Sequence, residues 1–120
     1  MSMNRGIVMI QEAVGYAEAA PKLLFTLPQG AVPLFAVVQT ETAFNDSGTD
    51  SLALGIAGDD DYFAAGVNVA TVGGQMVVFS HSPELALMTG VLAKYTGQNG
   101  DASAGRAVIN LAYATPFEVH

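Results

Sequence analysis

Residues 40–66, TETAFNDSGTDSLALGIAGDDDYFAAG, decide the fold. Within them Leu52, Leu54 and Ile56 recur at every second position, with Ser51, Ala53, Gly55 and Ala57 between them. That is the period of a strand with one apolar face and one face of small side chains. The small face suits close approach of another sheet, a loop or a subunit. Asn45-Asp46-Ser47-Gly48 ahead of the strand is turn chemistry, since Asn and Asp tolerate left-handed backbone angles and Gly supplies them freely. Gly58-Asp59-Asp60-Asp61 closes the strand, and Asp59 is placed to cap a brief helical turn carrying Tyr62 and Phe63. The stretch reads as an outgoing strand, a polar turn, a returning strand, a second polar turn and a short helical or looped cap.

Upstream, residues 34–42 form a strand rich in β-branched side chains. Leu34, Ala36, Val38 and Thr40 share one face; Phe35, Val37, Gln39 and Glu41 lie opposite, so the first half is apolar on both sides. Pro28-Gln29-Gly30 is a turn, and 22–27 alternate, with Leu23, Phe25 and Leu27 on one side and Leu24 the exception on the other. Residues 6–14 are again apolar on both faces, Ile7 and Met9 against Val8 and Ile10, as in a fully buried strand or one whose outer face meets a partner. These two-sided runs make Ile7, Val8, Met9, Ile10, Phe35 and Val37 the candidate partner interface. Residues 15–21 connect, and Pro21 stops any helical turn there.

Downstream, 66–69 begin a short strand, Val72-Gly73-Gly74 suit a bulge or bend, and 75–80 form a strand whose successive apolar residues leave its faces unassigned. Residues 84–88 fit a helical turn or a strand. Val91, Ala93 and Tyr95 alternate with Leu92, Lys94 and Thr96, and the loop GQNGDASA leads to 106–113, where Ala107, Ile109, Leu111 and Tyr113 share a face. Strand, polar loop, strand predicts a β-hairpin. The tail from Ala114 carries an early proline and belongs at an edge or partly free. Seven or eight short strands without a long helical period predict an all-β fold, an antiparallel β-sandwich or jelly-roll-like barrel.

The 120 residues suit a single domain, with 1–15 either an interaction arm or the domain's own first strand. An apolar fraction of 51% with 12% charged residues is that of a chain with a core. No apolar run is long enough for a transmembrane helix, and the N-terminal run meets Glu12 too soon for a signal peptide. Cysteine is absent, which excludes disulfides and thiolate metal sites. A net charge of −7 with four scattered basic residues, Arg5, Lys22, Lys94 and Arg106, argues against nucleic acid, whose phosphates need a basic footprint.

For chemistry, the acidic loops are the first candidates: Asp59-Asp60-Asp61, with Asp46, Asp50 and Asp101 elsewhere. Calcium takes several oxygens from a flexible loop, but no EF-hand spacing is present and adjacent strand aspartates point apart. A solvated loop with a helix cap is the favoured reading. His81 has no orienting carboxylate in sequence reach and reads as a turn residue; His120 is terminal. The glycines form no GxGxxG or Walker cradle. Phe35, Phe44, Tyr62, Phe63, Tyr95 and Tyr113 are numerous enough for a sugar-stacking platform, yet a small core needs as many. No catalytic constellation remains, and no cofactor is expected.

The order Ala43-Phe44-Asn45, Leu52-Ala53-Leu54-Gly55, Gly58-Asp59, Phe63-Ala64 and Val67, with the late strand 105–113, resembles a pattern of small structural proteins of tailed-phage virions. These are capsid decoration (cement) proteins and related head or fibre modules. The likeness covers about 27–113 and is made of turns and core positions, so it marks a fold better than a role. It implies a non-enzymatic virion protein, made in the host cytoplasm, that binds the outside of a phage head through the major capsid protein or another virion protein. It implies a homo-oligomer as well, with a trimer favoured by the threefold sites such proteins occupy. A receptor- or carbohydrate-binding module of a fibre or adhesin is the alternative.

Overall fold

The computed structural model describes residues 3–4, 6–17, 21–79, 85–115 and 118–119. Ten strands cover most of them: β1 (Met3–Asn4), β2 (Ile7–Gly15), β3 (Lys22–Leu27), β4 (Val32–Thr42), β5 (Asp50–Ile56), β6 (Asp59–Asn68), β7 (Gly73–Val78), β8 (Thr89–Gly97), β9 (Arg106–Ala114) and β10 (Glu118–Val119). Eight of them form two four-stranded antiparallel sheets, ordered β2-β9-β4-β7 and β3-β8-β5-β6, while β1 and β10 pair as a separate ribbon. Every connection from β2 to β9 changes sheet except the one between β5 and β6. This is the double-sheet jelly roll, an antiparallel sandwich in which a long folded ribbon closes on itself.

The central stretch supplies the hinge of that ribbon. Leu52 and Leu54 of β5 are fully buried, and both pack in the core between the sheets. The small face behind them is filled by the chain's own next strand: a Cβ on Gly55 would lie 2.2 Å from the carbonyl oxygen of Asp59. The tight turn at Ala57-Gly58 brings Asp59 directly opposite Ile56. The expected helical cap at Asp59 is therefore absent, because pairing with β5 engages the backbone from the first aspartate onward. Two register shifts within the β5–β6 pair let Phe63 and Ala64 both turn inward.

Other local expectations are corrected by the same topology. The turn Asn45-Asp46-Ser47-Gly48 and the loop GQNGDASA do not close hairpins; β4 and β9 lie in one sheet, β5 and β8 in the other. A bulge between Leu23 and Phe25 turns Leu24 and Phe25 both inward and leaves Leu23 exposed, so Leu23 does not share the face of Phe25 and Leu27. Residues 66–68 end β6 rather than begin a strand; the chain bends at 70–72, as one of the two readings of Val72-Gly73-Gly74 had it, and Gly73-Gly74 then pair with Thr40 and Gln39 without a bulge. Residues 85–88 are irregular, and β7 ends at Val78. Val14, near the end of β2, is buried, and the strand pairs with β9 along its full length.

Aromatic rings fill the middle of the core. Phe44 stacks on Tyr95 with centroids 4.6 Å apart, and Phe63 meets Phe79 at 5.0 Å. Thr40 is fully buried, and its hydroxyl has no hydrogen-bond partner among the described residues.

These positions predict stability changes of opposite sign. Leu54→Ala should cost about 2–5 kcal/mol, the range for buried leucines that leave a cavity. Thr40→Val should gain on the order of 1 kcal/mol by removing an unpaired buried hydroxyl without changing the shape. Urea unfolding midpoints measure both; an unshifted Leu54→Ala or a destabilised Thr40→Val would contradict the assigned core.

Candidate functional site

The sheet β2-β9-β4-β7 turns one face to the core and one outward. Its register aligns Met9, Ala112, Phe35 and Val78 in one outward row, and Gln11, Asn110, Val37 and Met76 in the next. None of these eight side chains is charged. Ile7 (68% exposed), Met9 (55%), Met76 (66%) and Val78 (74%) stand open along the two margins, with Phe35 and Val37 half-buried between them. Charge returns only toward the far end, where Arg106 and Glu41 form an ion pair. An exposed apolar face of this kind, with charge confined to one end, has the make-up of a protein–protein contact.

Of the six residues singled out in the sequence, Ile7, Met9, Phe35 and Val37 meet on this outward face. Val8 and Ile10 do not; they point the other way and are half-buried, Ile10 against the core. Sequence reasoning missed Met76 and Val78, because an unbroken apolar run gives no alternation from which to assign faces. The signal was there in another form: β7 reads GGQMVV and carries no charge at all. A second apolar patch lies on the other sheet. There Leu23, Leu87 and Met88 border a shallow cleft of about 400 Å³.

The acidic loops assemble differently from the calcium reading. Asp46, between β4 and β5, accepts N–H groups from Gly48 (2.7 Å) in its own loop and from Asn99 (3.0 Å) and Asp101 (3.1 Å) in the loop between β8 and β9. Asp101 returns the link, accepting the Ser47 N–H at 2.8 Å and the Ser47 hydroxyl at 2.6 Å. Asp50 accepts the Asp46 N–H at 3.1 Å and the Tyr95 hydroxyl. Asn45 Oδ1 takes the N–H groups of Ser103 and Ala104. These oxygens are engaged by N–H and O–H donors, and no acidic cluster among the described residues has the geometry to hold a metal ion.

Asp60 pairs instead with Lys94 at 3.3 Å. His81 and His120 lie outside the described residues. Phe44, Phe63 and Tyr95 are core residues, and Phe35, Tyr62 and Tyr113 are half-buried, so the aromatics form no exposed stacking platform.

The electrostatics follow from that geometry. Burial pushes the Asp46 carboxyl up, but the backbone N–H groups of Gly48, Asn99, Asp101 and Gly100 pull it down by more, leaving it below the ordinary aspartate value of 3.8. Burial, followed by the hydrogen bond to Asp50 and the charges of the surrounding aspartates, holds the Tyr95 phenol well above its usual range. Gly97 is needed beside Asp46, since a Cβ there would sit 2.6 Å from its Oδ2.

Comparison with solved structures finds this architecture in phage capsids. A chain of the acidic stable capsid structure of Helicobacter pylori bacteriophage KHP30 superposes with a TM-score of 0.73 at 14% identity, covering 99% of this chain and 100% of that one. A chain of the cyanophage Pam1 capsid asymmetric unit gives 0.64 at 17% identity, covering 96% and 84%. At such identities the likeness is one of fold, and it agrees with the virion resemblance carried by the central stretch. No protein-family model and no curated protein matches the chain.

The Asp46 network predicts acid sensitivity. A carboxyl lowered in the folded state contributes stability that is complete above its unfolded value and lost as pH falls through the folded one. Melting temperature should therefore drop on acidification below about 3.8. Asp46→Asn should melt lower than wild type at neutral pH and show a shallower acid limb. An acid limb as steep as that of wild type would contradict the role given to Asp46.

Proposed function

We propose that this chain is a non-enzymatic structural protein of a tailed-phage virion, a capsid decoration (cement) protein that binds the outside of the head and stabilises it. The observation that carries the proposal is coverage. The likeness to the KHP30 chain runs over 99% of this chain and all of that one, so the two share the whole fold and not a fragment of it. The outer face of the first sheet, uncharged across its two central rows, supports it. On a molecule of net charge −7, a contact with another protein is cheapest where no carboxylate has to be desolvated.

The partner on this reading is the major capsid protein or another virion protein, and the chain works as a homo-oligomer, a trimer matched to threefold sites. Synthesis would be in the host cytoplasm, with the mature location on the capsid surface. The described basic residues are engaged within the chain: Arg106 and Lys94 are held in ion pairs, and the Lys22 ammonium donates to the Ala13 carbonyl. On this reading the chain acts as one domain, in which β2 (Ile7–Gly15) serves as a strand of its own sheet and as margin of the contact face.

Heads of the encoding phage prepared without this chain provide the test. Purified protein should bind them saturably and co-sediment, with bound copies in multiples of three per threefold position, and the decorated heads should withstand higher temperature before releasing DNA. Protein that stays in the supernatant, or that binds tail fibres or host glycans instead, would contradict the proposal.

A further inference from the structure

We propose that copies of this chain join edge to edge, the open edge of β2 in one copy hydrogen-bonding to the open edge of β7 in the next. This deepens the reading above by specifying how copies associate, and it rests on that reading for the expectation of an oligomer. Strands β2 and β7 are the two ends of one sheet; among the described residues β2 pairs only with β9 in that sheet and β7 only with β4. Three antiparallel steps separate them, so β2 runs opposite to β7, and joining copies in line continues the same antiparallel ladder.

The backbone parity agrees. In an antiparallel strand the N–H and C=O of one residue point to the same side, and successive residues alternate. Ala13 marks the open side of β2, since its N–H goes to Glu12 Oε1 (3.1 Å) and its carbonyl accepts Lys22 Nζ (2.9 Å). Gly6, of opposite parity, exchanges its carbonyl with the Thr115 N–H toward the β9 side. Ile7, Met9 and Gln11 therefore direct their backbone groups outward. Carrying the alternation through β9 and β4 makes Gly74, Met76 and Val78 the outward residues of β7.

On both edges these are the residues whose side chains lie on the apolar outer face. Setting Val78 opposite Ile7, Met76 opposite Met9 and Gly74 opposite Gln11 satisfies strand direction, hydrogen bonding and face together. A slip by two residues in the direction of Ala13 would press β7 onto groups already capped by Glu12 and Lys22. The register is thus limited from within the chain.

Natural sheets protect their edges with Lys, Pro or capping side chains. Here β2 is capped at Ala13, and among the described residues no side chain caps it from Ile7 to Gln11; the sequence GGQMVV of β7 contains no Lys or Pro. The six facing residues are uncharged, which suits contact between copies that each carry −7. A twofold contact of β2 with another β2 would leave Met76 and Val78 open. Head-to-tail joining covers both edges of every copy once the ring closes.

The chain has no cysteine, so introduced thiols report the register cleanly. Directly opposed hydrogen-bonded residues lie about 5.5 Å apart at Cα, within disulfide range. An equimolar mixture of Met9→Cys and Met76→Cys chains, one of them size-tagged, should give mixed covalent dimers under mild oxidation, several-fold more than either variant alone. The doubly substituted chain should link through the whole assembly. The inference is overturned if either single variant links to itself as well as the mixture does, or if the mixture stays unlinked while the wild-type protein scatters as an oligomer. Wild-type protein that scatters as a monomer at every concentration overturns it too, and leaves head binding to be judged by co-sedimentation.

Discussion

The Asp46 carboxylate ties together the two polar loops on which the sandwich depends. One loop carries the chain from β4 to β5 and the other from β8 to β9, and each crosses from one sheet to the other. Two sheets held only by side-chain packing can slide; loops that exchange backbone hydrogen bonds through one buried carboxylate cannot do so without stranding that charge. Asp46, Asp101 and Asn45 accept donors across the gap, and Phe44, stacked on Tyr95, plugs the core just inside. Polar network and aromatic pair fix the relative position of the sheets at this end.

Much of the strand content was readable because half-buried strands alternate. Leu52 and Leu54 announced their burial, as did Ala36, Val38 and Thr40. The pairing was not readable. A segment such as Asn45-Asp46-Ser47-Gly48 has the same local chemistry whether it returns the chain beside the strand it has just left or carries it to the facing sheet. Only the accounting of the whole sheet decides between these, and it is made of contacts distant in sequence. The bulge at Leu24 escaped notice for a related reason, since one inserted residue reverses the faces of its neighbours. At Asp59, capping preference lost to pairing with β5, a tertiary interaction that local propensity does not contain.

The candidate site divides along the same line. Ile7, Met9, Phe35 and Val37 were conspicuous as apolar residues with no apparent reason to be buried, and they do share a face. Val8 and Ile10 were grouped with them because a two-sided apolar run does not say which side faces the core. Met76 and Val78 complete the face from a strand that gave no period. The aspartates drew attention as possible metal ligands, and three of the six became acceptors in a loop network. Backbone N–H groups gathered around a carboxylate do the stabilising work that a cation would otherwise do.

Two uncharged rows on the outer face of an acidic molecule, in a fold found in phage capsids, are the physical basis of the proposed placement on a virion. A cryo-electron microscopy reconstruction of the virion that encodes it examines that placement most directly. The chain should appear on the outer surface of the head, with the face bearing Met9, Phe35, Val37 and Met76 removed from solvent against a neighbouring protein. Heads that lack the chain, or carry it with that face open to solvent, would contradict it.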